Sequence, residues 1–145
     1  LYFVDREKIE EILSYMETIQ EEMIGRTYEN FMDRLLLERI THLHIEAIID
    51  VGNKMIDGFI MRDPGSYEDI IDILTDEQVL SDVDEKAYKP FIKLRKMIIQ
   101  QYTEVDHSQI ETVWEAHGDT IKAFPEKIRH YLDNELGPVS AFSKS

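Results

Sequence analysis

Residues 39–59 read RITHLHIEAIIDVGNKMIDGF, and this stretch decides the fold. Ile40, Leu43, Ile45, Ile48, Ile49, Val51, Met55, Ile56 and Phe59 cover most directions around a helix, the pattern of a nearly buried one. Arg39, His42, Glu46, Asp50, Asn53 and Asp57 are spaced by three, four, four, three and four. At roughly 100° per residue they fall within an arc of about 80°. An ordinary surface helix has a broad polar face and a narrower apolar one; here the proportions are reversed. Such a thin stripe must be satisfied by solvent, by a cleft or by a partner. As a strip of solvent it would leave Arg39 paired with acids on neighbouring turns. As a groove it would be lined by Arg39, His42, Glu46, Asp50 and Asn53. The stripe by itself specifies no reaction.

On both sides of this segment the periodicity stays helical. Asp5 caps a first helix carrying Ile9, Ile12, Leu13, Met16, Ile19 and Met23, and Gly25 ends it. The second helix is expected over residues 28–59. Arg62-Asp63-Pro64-Gly65-Ser66 reads as a turn. Ser66 with Asp69 forms a capping box that starts a short third helix at Tyr67. Ser81 with Asp84 forms another, opening a fourth helix that reaches about Tyr102. Pro90 lies inside that helix and should kink it or break it in two. Asp106 with Gln109 starts a fifth helix, which Pro125 bends or breaks and Gly137-Pro138 stops. Residues from about 139 to 145 form a short polar tail. No segment alternates like a strand, and there is no repeat or long linker. The expectation is an all-α antiparallel bundle of four to five helices forming one domain over residues 1–145.

The chain has 145 residues, 43% of them apolar, enough for one hydrophobic core. It has no cysteine, which excludes disulfides, thiolate chemistry and cysteine-ligated zinc. No apolar run approaches the length of a membrane span and no signal-peptide pattern is present, so a cytoplasmic location is expected. The chain starts at Leu1, so a start just upstream is expected. Sixteen basic residues against 30 acidic ones give a net charge of −14. That charge repels nucleic acid over most of the surface, so RNA binding would need a local basic cluster, a partner or a second subunit.

Metal and cofactor chemistry find little support. His42 and His44 are two apart on opposed helix faces and cannot chelate one ion together. Glu46 and Asp50 lie one turn apart, a spacing better explained by solvation or ion pairing than by a cation site. His107, His117 and His130 lack ligand spacing and read as surface or capping residues. There is no phosphate-cradling Gly-rich loop and no GxSxG nucleophile elbow. No metal and no cofactor are expected.

Lys89, Lys93, Arg95 and Lys96 form the densest basic cluster, followed by Met97-Ile98-Ile99-Gln100-Gln101-Tyr102. Taken alone this is an amphipathic helix with a basic face. Together with the long second helix and the Pro-Gly-Ser-Tyr turn, it resembles the HEPN superfamily, and within it the HepT-like toxins. The YutE-like branch is resembled most, through Asp63-Pro64-Gly65-Ser66-Tyr67, Arg95 to Tyr102, and Glu135-Leu136-Gly137-Pro138-Val139-Ser140-Ala141-Phe142. The resemblance covers essentially the whole chain.

HepT-like proteins carry an R-x4-H-x-Y motif on this helix. The resemblance implies metal-independent RNA cleavage at a homodimer interface, with the His as acid or base and the Arg on the phosphate. It also implies a minimal nucleotidyltransferase antitoxin that adds AMP to the motif Tyr. By position, Arg95 matches the Arg and Tyr102 the Tyr, while Gln100 stands where the His should be. A carboxamide does not titrate, so Gln100 can orient water or bind phosphate but cannot serve as a general base. His42, Glu46 or Asp50 could carry the proton if the stripe faces this helix. On an ideal helix Gln100 lies roughly 140° from Arg95, so a dimer or unwinding near Gln101 is needed to assemble the motif. Three functions follow: a ribonuclease toxin weakened at Gln100, a catalytically inactive HEPN-fold binding module acting as a homodimer, or a purely structural dimer.

Overall fold

The computed structural model describes residues 2–137 and contains six α-helices among them: α1 (Arg6–Met23), α2 (Phe31–Gly58), α3 (Tyr67–Asp76), α4 (Asp82–Gln100), α5 (His107–Lys122) and α6 (Phe124–Leu136). The expected tail and the Pro138 to Phe142 part of the terminal motif lie outside the described residues.

Five of the six helices begin where the sequence supplies a side-chain cap; α6 starts after Ala123 without one, with Pro125 in its first turn. The Asp5 carboxylate accepts from Lys8 N, and the Asp106 carboxylate from Gln109 N. Ser81 and Asp84 form a reciprocal capping box on α4. Asn30 and Asp33 form one on α2, which therefore starts at Phe31 rather than at residue 28. Ser66 caps α3, but the Asp69 carboxylate binds Gly65 N at 2.8 Å and the Arg62 guanidinium, so this cap is one-sided.

Two proline expectations resolve differently. The fifth helix does break at Pro125, giving α5 and α6 with Ala123 shared as their cap. At Pro90, α4 runs unbroken. The missing N–H costs one intrahelical bond, but Tyr88, Phe91, Ile92 and Leu94 are buried on both sides of the proline and hold the helix in the core. The end of α4 is also corrected. It stops at Gln100, with Gln101 as its C-cap, so Tyr102 is outside the helix.

Helix α2 is the hub, packed by α1, α3, α4 and α5. Its apolar circumference is taken up inside the monomer: Leu37, Ile40, Ile45, Ile48, Ile49, Val51, Met55 and Ile56 are all buried. Only Phe31, Met32, Leu35 and Leu36, on its first two turns, remain exposed. The neighbours run antiparallel. Gln20 reaches His44 and Phe3 N bonds Gly58 O, so α1 opposes α2. The Tyr88 hydroxyl donates to Thr120 O, Phe91 stacks edge-on with Trp114, and Met97 lies against Asp106, so α4 opposes α5. Arg129, bonded to both Glu10 and Glu17, ties α6 to α1.

His44 is the buried polar group at the centre. Its Nδ1 lies 2.8 Å from the Ile40 carbonyl, which only accepts, so Nδ1 carries the proton and Nε2 accepts from the Gln20 amide at 3.3 Å. Phe91 and Trp114 pack edge-on against its ring. Burial pushes its pKa below the usual 6.5, with the Ile40 bond opposing. Below about pH 6.5 the unfolded chain binds a proton that the folded chain refuses, so stability falls with pH in that window, by at most about 1.4 kcal/mol per pH unit. Melting temperature should drop from pH 7 to pH 5.5, and the drop should shrink in His44→Gln. Equal drops in both proteins would assign the acid sensitivity to other groups.

Candidate functional site

Helices α2, α3 and α4 bring four residues together. Arg95 Nε donates to Glu46 Oε1 at 2.6 Å, joining α4 to α2. The Arg95 guanidinium carbon sits 4.5 Å from the ring centroid of Tyr67, the first residue of α3. His42, one turn before Glu46, places Nε2 3.5 Å from the same Oε1. The Glu46 hydrogen bond and charge raise the Arg95 pKa above its ordinary value, keeping the guanidinium charged. Among the described residues its two terminal nitrogens have no hydrogen-bond or ion-pair partner. The result is a cation whose planar two-donor edge has no partner among the described residues, the geometry that suits a phosphate oxygen pair.

The rest of the polar stripe does not act as one unit. Arg39, Asp50 and Asp57 are exposed and Asn53 is half-buried. These exposed members lie in solvent as the solvent-strip reading has it, but Arg39 makes no ion pair with acids on neighbouring turns among the described residues. His42 and Glu46 are thus the stripe members drawn toward Arg95. The opposed faces expected of His42 and His44 are present: His44 is in the core and His42 at the stripe.

Gln100 is exposed at the last residue of α4, and Tyr102 is 70% exposed in the turn beyond it. The helix ends after Gln100 with Gln101 as its cap, so Arg95 and Gln100 remain on one regular helix and only Tyr102 leaves it. Of the basic cluster, Lys89 is tied to Asp72 at 2.5 Å and Glu85 at 2.8 Å, while Lys93 and Lys96 are exposed. Two residues escaped the sequence reading. His107 is no free surface residue: its Nε2 lies 2.7 Å from Glu38 Oε2 on α2, and both side chains are mostly covered. Tyr67 was visible only as part of a turn motif, because nothing in its spacing reveals that Arg95 lies over its ring. Among the described residues no cluster of three His, Asp or Glu side chains converges on a metal position.

The chain is thus an all-helical bundle in which Arg95 of α4 meets Glu46 of α2 and Tyr67 of α3. The chain belongs to the HepT-like family, whose profile, described as "Ribonuclease HepT-like", matches residues 6–128. A Bacillus subtilis (strain 168) protein named "Putative RNase YutE" is 48% identical over 143 residues, covering 98% of this chain and 99% of that one. The solved structure of Bacillus subtilis YutE, described as a cytosolic protein of unknown function, superposes with a TM-score of 0.93 at 48% identity over 98% of this chain and 100% of the other. A tri-AMPylated Shewanella oneidensis HEPN toxin, solved in complex with its MNT antitoxin, shares the fold with a TM-score of 0.65 at 16% identity, covering 84% of this chain and 91% of that one. Among the described residues no helix is long and apolar enough to cross a membrane.

Proposed function

We propose that this protein is a metal-independent endoribonuclease of the HepT-like toxin class, working slowly because Gln100 stands in the position of the proton-transferring imidazole. The observation that carries this reading is the state of Arg95: anchored through Nε, stacked on Tyr67, and open at both terminal nitrogens. In the reaction a base removes the 2′-hydroxyl proton, the 2′-oxygen attacks phosphorus, and the 5′-oxygen leaves with a proton from an acid. Arg95 stabilises the extra negative charge on the phosphoryl oxygens. His42, sharing Glu46 with Arg95, is the imidazole assigned to the residual proton transfer.

Tyr102, exposed beyond the helix end, is the proposed acceptor of AMP from a nucleotidyltransferase antitoxin. The exposed Phe31, Met32, Leu35 and Leu36 are apolar area available to a homodimer, most of the remaining apolar side chains of α2 being buried within the monomer. A cytoplasmic location goes with these assignments. The test is RNA cleavage by the purified protein in the presence of a chelator. Slow cleavage that Arg95→Ala reduces by about a hundredfold or more is expected. RNA binding without cleavage, in the natural chain and in Gln100→His alike, would move the protein to the alternative class, a binding module that kept the fold and lost the chemistry.

A further inference from the structure

The Asp63-Pro64-Gly65-Ser66-Tyr67 turn supplies no proton carrier to the proposed reaction, yet it is held by a set of specific bonds. Asp69 accepts from both terminal nitrogens of Arg62, at 2.8 and 2.9 Å, and from Gly65 N at 2.8 Å. These bonds, Arg62 first, hold the Asp69 carboxyl down to about 2. Ser66 caps the helix from its own side chain. The turn is thereby fixed from three directions, and the residue it delivers is Tyr67, at the first position of α3.

Tyr67 is not part of the core. The residue is 46% exposed, and its ring faces the guanidinium of Arg95, 4.5 Å away on another helix. A single hydrogen bond from Nε to Glu46 would leave the guanidinium free to pivot about that bond. A ring beneath it removes the pivot, because a planar cation prefers to lie over the π face. We propose that Tyr67 is a positioning residue for Arg95: with Glu46 it fixes the guanidinium plane, so that the free terminal edge is presented to an RNA phosphate. This rests on the reading of Arg95 as the phosphate-binding group. It adds that the ring, not the phenol hydroxyl, does the positioning, and that the turn before α3 exists at this site to supply it.

Two measurements separate the proposal from that reading. The first follows the Arg95 Nε–H resonance by NMR without any nucleic acid. Tyr67→Leu should remove its ring-current shift and speed its exchange with water, while Tyr67→Phe should preserve both. An unchanged resonance in Tyr67→Leu overturns the proposal whatever the protein does to RNA. The second uses a short 2′-O-methyl oligoribonucleotide, which keeps the phosphates but cannot be cleaved through the 2′-oxygen. Tyr67→Leu should weaken its binding about three- to tenfold, Tyr67→Phe should recover most of the loss, and Tyr67→Leu should have no further effect when Arg95 is already Ala. Equal weakening in the Arg95→Ala background would mean that the ring contacts RNA directly by stacking, and would overturn the positioning role. Binding unaffected by Arg95→Ala would refute Arg95 as the phosphate group, while the NMR result would still decide whether Tyr67 holds it.

Discussion

Replacing Gln100 with His is expected to raise metal-free RNA cleavage by about a hundred- to ten-thousand-fold, the usual worth of a positioned general acid or base. Glu46 keeps Arg95 charged, and the position to be changed is exposed at the end of α4, where an imidazole adds no buried charge and displaces no core side chain. Position 100 lies about 140° around the helix from Arg95, so the gain depends on a dimer bringing the two together. The gain should follow pH with a limb near the ordinary imidazole pKa of about 6.5, because the new group must change protonation state to act. It should vanish when Arg95 is also changed to Ala, since charge stabilisation and proton transfer serve one transition state. Cleavage by the natural chain as fast as by Gln100→His would contradict the claim that Gln100 limits the rate. His42 or a stripe carboxylate would then be carrying the proton at full rate.

The second large effect is structural. Gly52→Val in the middle of α2 should cost about 3 kcal/mol, against a total stability of roughly 5–15 kcal/mol for a domain of this kind. Helix propensity argues the other way, since glycine inside a helix is about 1 kcal/mol worse than alanine. Packing decides the sign. A Cβ at position 52 would lie 2.4 Å from Ile70 Cγ2 and 3.7 Å from Leu74 Cδ1, and both are buried side chains of α3. Ile70 is β-branched and held on all sides, so the helix itself has to move. Because α3 begins at Tyr67, the same shift should draw the ring from beneath Arg95. Thermal or urea unfolding reads the stability. A variant as stable as the natural chain would mean that α3 can yield at no cost.

Much of this architecture was legible in the chain because local chemistry wrote it. Caps at Asp5, Ser66, Ser81 and Asp106 mark helix starts by satisfying the first free N–H groups, and the helices do start there. The apolar run of α2 announced a buried helix, and it is the hub. Pro125 marked a real break. The failures have one common cause. Whether a helix survives Pro90, or ends at Gln100 rather than near Tyr102, depends on what packs against it, and period and propensity carry no record of that.

The site divides along the same line. The sequence by itself determined most helix starts, the order of the helices, and that Arg95 and Gln100 share one helix with Tyr102 just beyond them. It also determined that position 100 cannot titrate, because that is a property of the side chain alone. Only the tertiary structure decided that Glu46 and Tyr67 are the partners of Arg95, that His42 joins them while Arg39 and Asp50 stay in solvent, and that His107 is paired with Glu38. These pairs lie 49, 28 and 69 residues apart along the chain for Glu46–Arg95, Tyr67–Arg95 and Glu38–His107. Helical periodicity relates residues a few positions apart on one element. Contacts between elements are set by how buried faces pack, and the positions that meet there carry no shared period.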